Sequence, residues 1–458
     1  MPPSGWIQDP NGTIHHRGRY HLFYQYDPKN VGAFGCDPEW GHAVSTDLLH
    51  WEHLPAALTP GTTGPDRNGC WSGCTVIADG VPTILYSGLV RKSLALEDRV
   101  WCLSQCLATG SDDLVHWRKH PGNPILADPP EEFRGRLNAW HDPHVWREGD
   151  TWYLLLGGAY KDGSAGLTFL YRSADLITWE YLHPFCEGTV PGERWLVPDF
   201  FQSGNRHVML FSDGCTVALI GDYRDHRFLA RRRQLVDHGP HFDSARTMCD
   251  ASGRHLLFGW IREDRPVDAS LQAGWAGMMS LPRALSVEDD ELRIDVPPEV
   301  RAATAPGAEV TGVDLAPGSP FLLHGADSDC LEIEAEIDVR HAASVGLTLC
   351  RSPGREEQTT VAWHREEQVL RLDRTRTSLH PDVGRGVHDA PLSLAPGEPL
   401  TLTVFLDRSV VEAFGNRRAA LTGRVYPTRP DSTGVEMFVT GGHAYARCCR
   451  TWRRASIW

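Results

Sequence analysis

The chain has 458 residues, with 45 Lys and Arg against 59 Asp and Glu, a net charge of −14 and a hydrophobic content of 41%. That length suits two or three domains of ordinary globular composition. The acidic balance argues against nucleic acid or an anionic membrane surface as a partner, and no run of 18 apolar residues is present to span a bilayer.

Met1 to Gly5 has neither a basic n-region nor an apolar h-region, so nothing in it directs secretion. The twelve cysteines form no spaced CxxC tetrad; the closest pairs are Cys70/Cys74, Cys102/Cys106 and Cys448/Cys449. A cytoplasmic protein with free thiols, no metal and no cofactor is the expectation. The one dense basic run, Arg231 to Arg233, reads as a solvated strand edge.

Along the chain, short β-branched or aromatic runs recur, each preceded by a polar turn. They are Tyr20–Tyr26, Val81–Leu89, Thr151–Ala159, Arg206–Gly214 and Arg254–Arg262. Each has the length and composition of a strand, and their spacing of roughly 50 to 70 residues suits one four-stranded blade. A second repeat, S-x-D-L-x-x-W, stands at Ser45–Trp51, Ser111–Trp117 and Ser173–Trp179. Its Ser and Asp suit a turn that caps its own backbone, and its Leu and Trp supply anchors. Five repeated units predict an all-β architecture: a five-bladed β-propeller over residues 1–296.

Residues 297–318, rich in Ala, Pro, Gly and Thr, read as a linker. Beyond them, Leu331–Ile337 alternates apolar and polar, as a half-buried antiparallel strand does. Further short strand patterns with Pro and Gly turns predict a β-sandwich over 319–458.

Cleaving a glycosidic bond with retention needs two carboxyl groups about 5 Å apart. A propeller brings equivalent positions of successive blades to one central space, so acidic residues at such positions are the candidates. Trp6–Gly12 (WIQDPNG) opens the first blade, Trp140–Pro143 (WHDP) the third and Trp195–Asp199 (WLVPD) the fourth. Alone, each Asp-Pro or Pro-Asp pair suits an Asx turn; three at matching positions beside Trp suggest a site. His42 within Trp40-Gly41-His42 has no second ligand at helical spacing and reads as a structural hydrogen-bonder. Gly157-Gly158 and Gly441-Gly442 open no helix and are not phosphate cradles.

WIQDPNG resembles the WMNDPNG signature of glycoside hydrolase family 32, the invertases, inulinases and levanases. So do Gln25–Pro28, Trp40–Glu52, Trp71–Cys74, WHDP, Trp195–Phe201, Gly274–Val287 and, near the C-terminus, Leu406–Asn416. The resemblance implies a five-bladed propeller with a C-terminal sandwich. It implies Asp9 as nucleophile and Asp142 as the carboxylate that holds the fructose hydroxyls. Gln8, Asn11, Gln25, Trp40, Trp71, Ser72 and Trp275 would line the sugar pocket, and the partner would be a small sugar or glycosidic metabolite.

The departures are as informative. The family's acid/base glutamate falls on Leu196, its Arg before the stabilising Asp on His141, its Asn before the nucleophile on Gln8, and its Asp-Phe-Tyr on His241-Phe242-Asp243. Leucine donates no proton. Three accounts follow. Glu193, His141 or Asp243 has taken over as acid, or the donor's leaving group needs little protonation and the pocket serves altered, even biosynthetic, chemistry. The third is a propeller that binds sugar without cleaving it.

Overall fold

The computed structural model describes residues 1–31, 37–91, 101–301 and 304–454; of Trp101, Cys102 and Thr304 it describes the backbone alone. The side chain of Cys102, and with it the Cys102/Cys106 pairing, lies outside the described residues. The ten cysteines whose side chains are described are free thiols. No helix among the described residues is long and apolar enough to cross a membrane.

Five antiparallel sheets follow one another along the first part of the chain. Blade 1 holds Gly5–His16, Arg19–Asp27, Glu39–Ser45 and Glu52–Leu58. Blade 2 holds Cys70–Ala78, Val81–Arg91, Trp101–Gly110 and Trp117–Lys119. Blade 3 comprises Leu137–Glu148, Thr151–Tyr160, Gly166–Ser173 and Glu180–Glu187, and blade 4 Leu196–Ser203, Arg206–Ser212, Thr216–Arg224 and Arg227–Leu235. Blade 5 comprises Phe242–Cys249, His255–Ile261, Arg283–Glu288 and Glu291–Asp295. The first strands of blades 1 to 4 touch in succession. Closure comes from Trp275–Ala276, which pairs in parallel with Gly5 and Trp6, while neighbouring Met278–Met279 pairs with the second strand of blade 5. These five blades are the propeller that the repeat predicts.

The repeated apolar runs are, in every blade, the second strand. Such a strand is covered on both faces by neighbouring blades, which is why it reads as nearly continuous apolar sequence; Leu154, Leu155 and Leu156 are all fully buried. The S-x-D-L-x-x-W segments connect the third strand to the fourth in blades 1, 2 and 3. In the third of them, Asp175 accepts from Ser173 Oγ at 3.0 Å and from the amides of Ile177 and Thr178 at 2.9 and 2.7 Å. The Trp179 indole donates to the Leu176 carbonyl at 3.0 Å. The leucine sits in the left-handed region each time, with φ of 63°, 62° and 63° at Leu48, Leu114 and Leu176. Burial of that leucine holds a conformation that is uncommon outside glycine.

Arg231, Arg232 and Arg233 lie on the outermost strand of blade 4, each paired with a carboxylate: Asp222, Glu291 and Glu193. His42 is fully buried, with Nε2 3.0 Å from Nδ1 of His21. Burial holds His21 down at about 4 and His42 at about 3. The unfolded chain therefore binds two protons below about pH 6.5 that the folded chain refuses. Stability from this pair is full above that pH and falls as pH drops toward 4, by about 1.4 kcal/mol per histidine per pH unit. Denaturant midpoints at pH 7.5 and 5.5 check this: the His21→Gln variant is expected to show a shallower decline than the parent.

The second compact unit takes in Val236–Phe242, Glu263–Ala269 and Arg293–Trp458. It contains two six-stranded antiparallel sheets, a β-sandwich. Leu331, Ile333, Ala335 and Ile337 face its core, with Glu334 and Glu336 on the other face. The segment read as a linker holds a strand, Thr304–Leu315, paired with Ala444–Arg454. A register shift between Pro306 and Glu309 absorbs the proline and glycine that made it look unstructured. We propose that the second domain takes in residues 304–315, so that the domain boundary lies ahead of this strand.

Candidate active site

Sequence pattern places the Asp-Pro and Pro-Asp pairs in tight turns; the structure instead sets them inside the first strands of blades 1, 3 and 4. Pairing slips between Gln8 and Pro10 in blade 1, between Cys70 and Gly73 in blade 2, between His141 and His144 in blade 3, and between Leu196 and Asp199 in blade 4. Each slip is a β-bulge, which re-aims a side chain that regular pleating would send elsewhere. Asp142, Val197 and Ser244, on three successive blades, have φ of 62°, 50° and 50°. For a β-branched valine this is genuine strain. A proline beside the bulge removes an amide that the interrupted ladder leaves without a strand partner.

Asp9 lies at the bulge of blade 1, 8% exposed. Its Oδ2 accepts from Ser72 Oγ at 2.8 Å, and Gln25 Nε2 stands 3.5 Å away. Gln25 also donates to Ser72 at 2.5 Å and accepts from Gln8 at 3.0 Å, and the Gln8 amide oxygen takes the Trp6 indole N–H at 3.1 Å. One polar network thus joins Asp9 to four residues around it: Ser72, Gln25, Gln8 and Trp6. Burial pushes Asp9 up to about 6, and the charges of Asp142 and Asp243 add to it, against hydrogen bonds from Ser72 and Ser244.

Asp142 sits on the bulge of blade 3. Its backbone N–H donates to Ser87 Oγ at 3.0 Å, and Ser87 is fixed in turn by Gln105 at 2.8 Å. The Val197 amide donates to Oδ2 at 3.1 Å, and His141 Nδ1 lies 2.8 Å from the same oxygen, off the axis of a straight hydrogen bond. Burial alone raises Asp142, but His141, Arg246 and the Val197 amide together hold it below the ordinary carboxylate range. The two neighbouring carboxylates are thereby pushed apart: one stays ionised and the other titrates near neutrality. His141 also meets the Trp71 ring edge-on at 5.7 Å.

Asp243 lies in the first strand of blade 5, 6% exposed, its oxygens taking the amides of Ser244 at 2.8 Å and Gly214 at 3.1 Å. Trp275, half-buried, closes the ring beside Gly5. Other candidates sit farther back. Trp40 is fully buried and donates its indole N–H to the Trp71 carbonyl at 3.0 Å, so it supports the strand that carries Trp71 and Ser72. Asn11 has no exposed surface. Glu193 is held by Arg233 at 2.6 Å and by the Trp195 indole at 3.2 Å. Asp199, 1% exposed, accepts the Thr247 amide at 2.6 Å and contacts His144, a structural role.

Arg246 escaped the sequence reading. Buried in blade 5, it donates to the Pro198 carbonyl and reaches the Asp142 carbonyl at 3.4 Å, so one guanidinium ties the bulges of blades 3 and 4. An arginine inside an otherwise buried strand run was its only signal.

Paired buried carboxylates at the inner strands of a propeller are the equipment of a glycoside hydrolase, and comparison with known proteins agrees. Residues 1–296 match the glycosyl hydrolases family 32 N-terminal domain and residues 300–458 the family 32 C-terminal domain, and the chain belongs to that family. Among curated proteins it is 32% identical to the sucrose-6-phosphate hydrolase of Zymomonas mobilis subsp. mobilis, over 98% of this chain and 90% of that protein. It is 32% identical to a raffinose invertase of Escherichia coli, over 97% of this chain and 91% of that one. Among solved structures, fructan 1-exohydrolase IIa from Cichorium intybus in complex with 1-kestose superposes with a TM-score of 0.90 at 25% identity, covering 100% of this chain and 96% of that chain. The protein is therefore a β-fructofuranosidase-like hydrolase by family.

Proposed function

We propose that the chain cleaves the β-fructofuranosyl bond of a small donor with retention at the anomeric carbon. Asp9 attacks that carbon, and Asp142 binds the ring hydroxyls as oxocarbenium character develops. The observation that carries the reading is a chain of contacts between two buried carboxylates: Ser72 donates to Asp9 at 2.8 Å, its neighbour Trp71 meets the His141 ring at 5.7 Å, and His141 lies 2.8 Å from Asp142, whose charge helps to raise Asp9. Asp142, kept ionised, suits electrostatic stabilisation; Trp71 and Trp275 offer the flat faces on which a sugar's C–H face stacks. The relatives named above are, by their names, a sucrose-6-phosphate hydrolase, a raffinose invertase and a fructan 1-exohydrolase, which supports fructose as the bound ring. The acid/base is not the residue at 196, because Leu196 has no proton to give.

Sucrose, raffinose and fructosyl fluoride together test the proposal. Turnover of the fluoride, whose leaving group needs little protonation, is expected, with the product retaining its anomeric configuration. Sugar binding by calorimetry with no turnover of any of the three would overturn the catalytic reading and leave a carbohydrate-binding propeller, the alternative that Leu196 favours.

A further inference from the structure

Cleavage of an unactivated fructoside needs a proton for the departing oxygen. The residues around the site offer few sources. Glu193 is bound to Arg233 and Trp195, Asp199 is buried against Thr247 and His144, and His141 is drawn onto Asp142. Asp243 is different. Leu196 pairs across blade 4 with Ser212, and two residues past Ser212 the Gly214 amide donates to Asp243 Oδ2. The carboxyl of Asp243 therefore sits at the end of blade 4 where Leu196 enters, though it is supplied by blade 5. It also lies close enough to Asp9 for its charge to raise that group.

Resting on the reading above, we infer that Asp243 is the catalytic acid and base, a carboxyl delivered from blade 5 to the place that Leu196 leaves without one. In the first step a carboxylate oxygen of Asp9 forms a bond to the anomeric carbon as the bond to the leaving oxygen breaks. The electron pair goes to that oxygen, which takes the proton of Asp243. In the second, Asp243 removes a proton from water or an acceptor hydroxyl whose oxygen bonds to the anomeric carbon. The bond to Asp9 breaks, returning its carboxylate and a protonated Asp243. No other reactant is needed.

The charges facing Asp243 set its working range. Arg262 stands 4.0 Å away, with Arg194, Asp213, Cys215 and Asp9 around it. Burial raises its carboxyl above the ordinary range against Arg262 and the two amides, with Asp213 adding to the rise. A group raised in this way keeps its proton to higher pH than a free aspartate.

Wild type and Asp243→Asn are to be compared on sucrose and fructosyl fluoride. The variant is expected to lose about 10²- to 10⁴-fold in kcat/KM on sucrose and less than about tenfold on the fluoride. Azide, a nucleophile that needs no base, is expected to restore its steady-state turnover of the fluoride, with fructosyl azide as product. Equal losses on both donors, or sucrose turnover within about tenfold of wild type, would overturn the inference. So would a wild type that consumes the fluoride but no donor with an alcohol leaving group. Arg262→Gln gives a second measurement with the carboxyl in place. The basic limb of its sucrose profile is expected to move to higher pH while its fluoride profile stays, and an unmoved sucrose limb would count against Asp243. The reading on which this rests fails separately: if Asp9→Asn keeps fluoride turnover, Asp9 is not the nucleophile, whatever Asp243 does.

Discussion

Asp9→Asn is expected to lower kcat/KM on fructosyl fluoride by at least ~10⁴-fold, because the amide cannot form the glycosyl–enzyme bond. Asparagine keeps the shape of the residue and an oxygen to accept from Ser72, so sugar affinity in a calorimetric titration should stay within about tenfold of the parent. The same variant is expected to melt higher than the active protein. Asp9 is ionised above 3.8 in the unfolded chain but holds its proton to about 6 in the folded one. Between those values the folded state binds more protons, so stability drops as pH rises through that window, by up to about 3 kcal/mol at pH 7. Removing the ionisable group removes the loss, a trade of stability for function common at catalytic centres. An inactive variant that melts at or below the parent would deny the destabilising burial of the ionised carboxylate. In the parent, the ionised nucleophile requires kcat/KM to fall tenfold per pH unit below about 6. Ser72→Ala, which removes a hydrogen bond favouring the anion, should move that limb upward.

How much of this was written in the sequence depends on the level at which one looks. The second strands of the blades were plain, since burial on both faces leaves an unmistakable apolar run, and so were the S-x-D-L-x-x-W connections, whose Ser and Asp carry their own hydrogen-bonding instructions. The family resemblance held along both domains. What the pattern hid was geometry. Asp-Pro and Pro-Asp favour Asx turns locally, and only the pairing of the first strand against the second turns them into bulges. The strand at Thr304–Leu315 was masked in the same way by Pro306 and Gly307, which a register shift accommodates. Nor does a one-dimensional string say that Glu193, two residues from Trp195, spends its charge on Arg233, or that Arg246 reaches back to two other blades. Those contacts are made between segments some 40 or more residues apart, where local propensity carries no information.

Leu196→Glu in the Asp243→Asn background is expected to restore sucrose turnover by about 10²- to 10⁴-fold, the worth of a positioned general acid. Leu196 begins the first strand of blade 4, half-buried, at the bulge whose far side donates the Val197 amide to Asp142. A longer carboxylic side chain there occupies the space that Asp243 approaches from the next blade through Gly214. In the parent background the gain should be far smaller, because two adjacent carboxyls compete for one proton. The visible change would then be a basic limb displaced to higher pH, with little change in the maximum. The pair of backgrounds separates two histories of the pocket. Rescue in the variant lacking Asp243 means that the leaving oxygen still lies within reach of both blades, so the loss of a carboxyl at 196 has been answered from blade 5. A folded double variant that binds fructose yet stays inert means that the donor's leaving group points away from residue 196, and the pocket has been reshaped around a different aglycone.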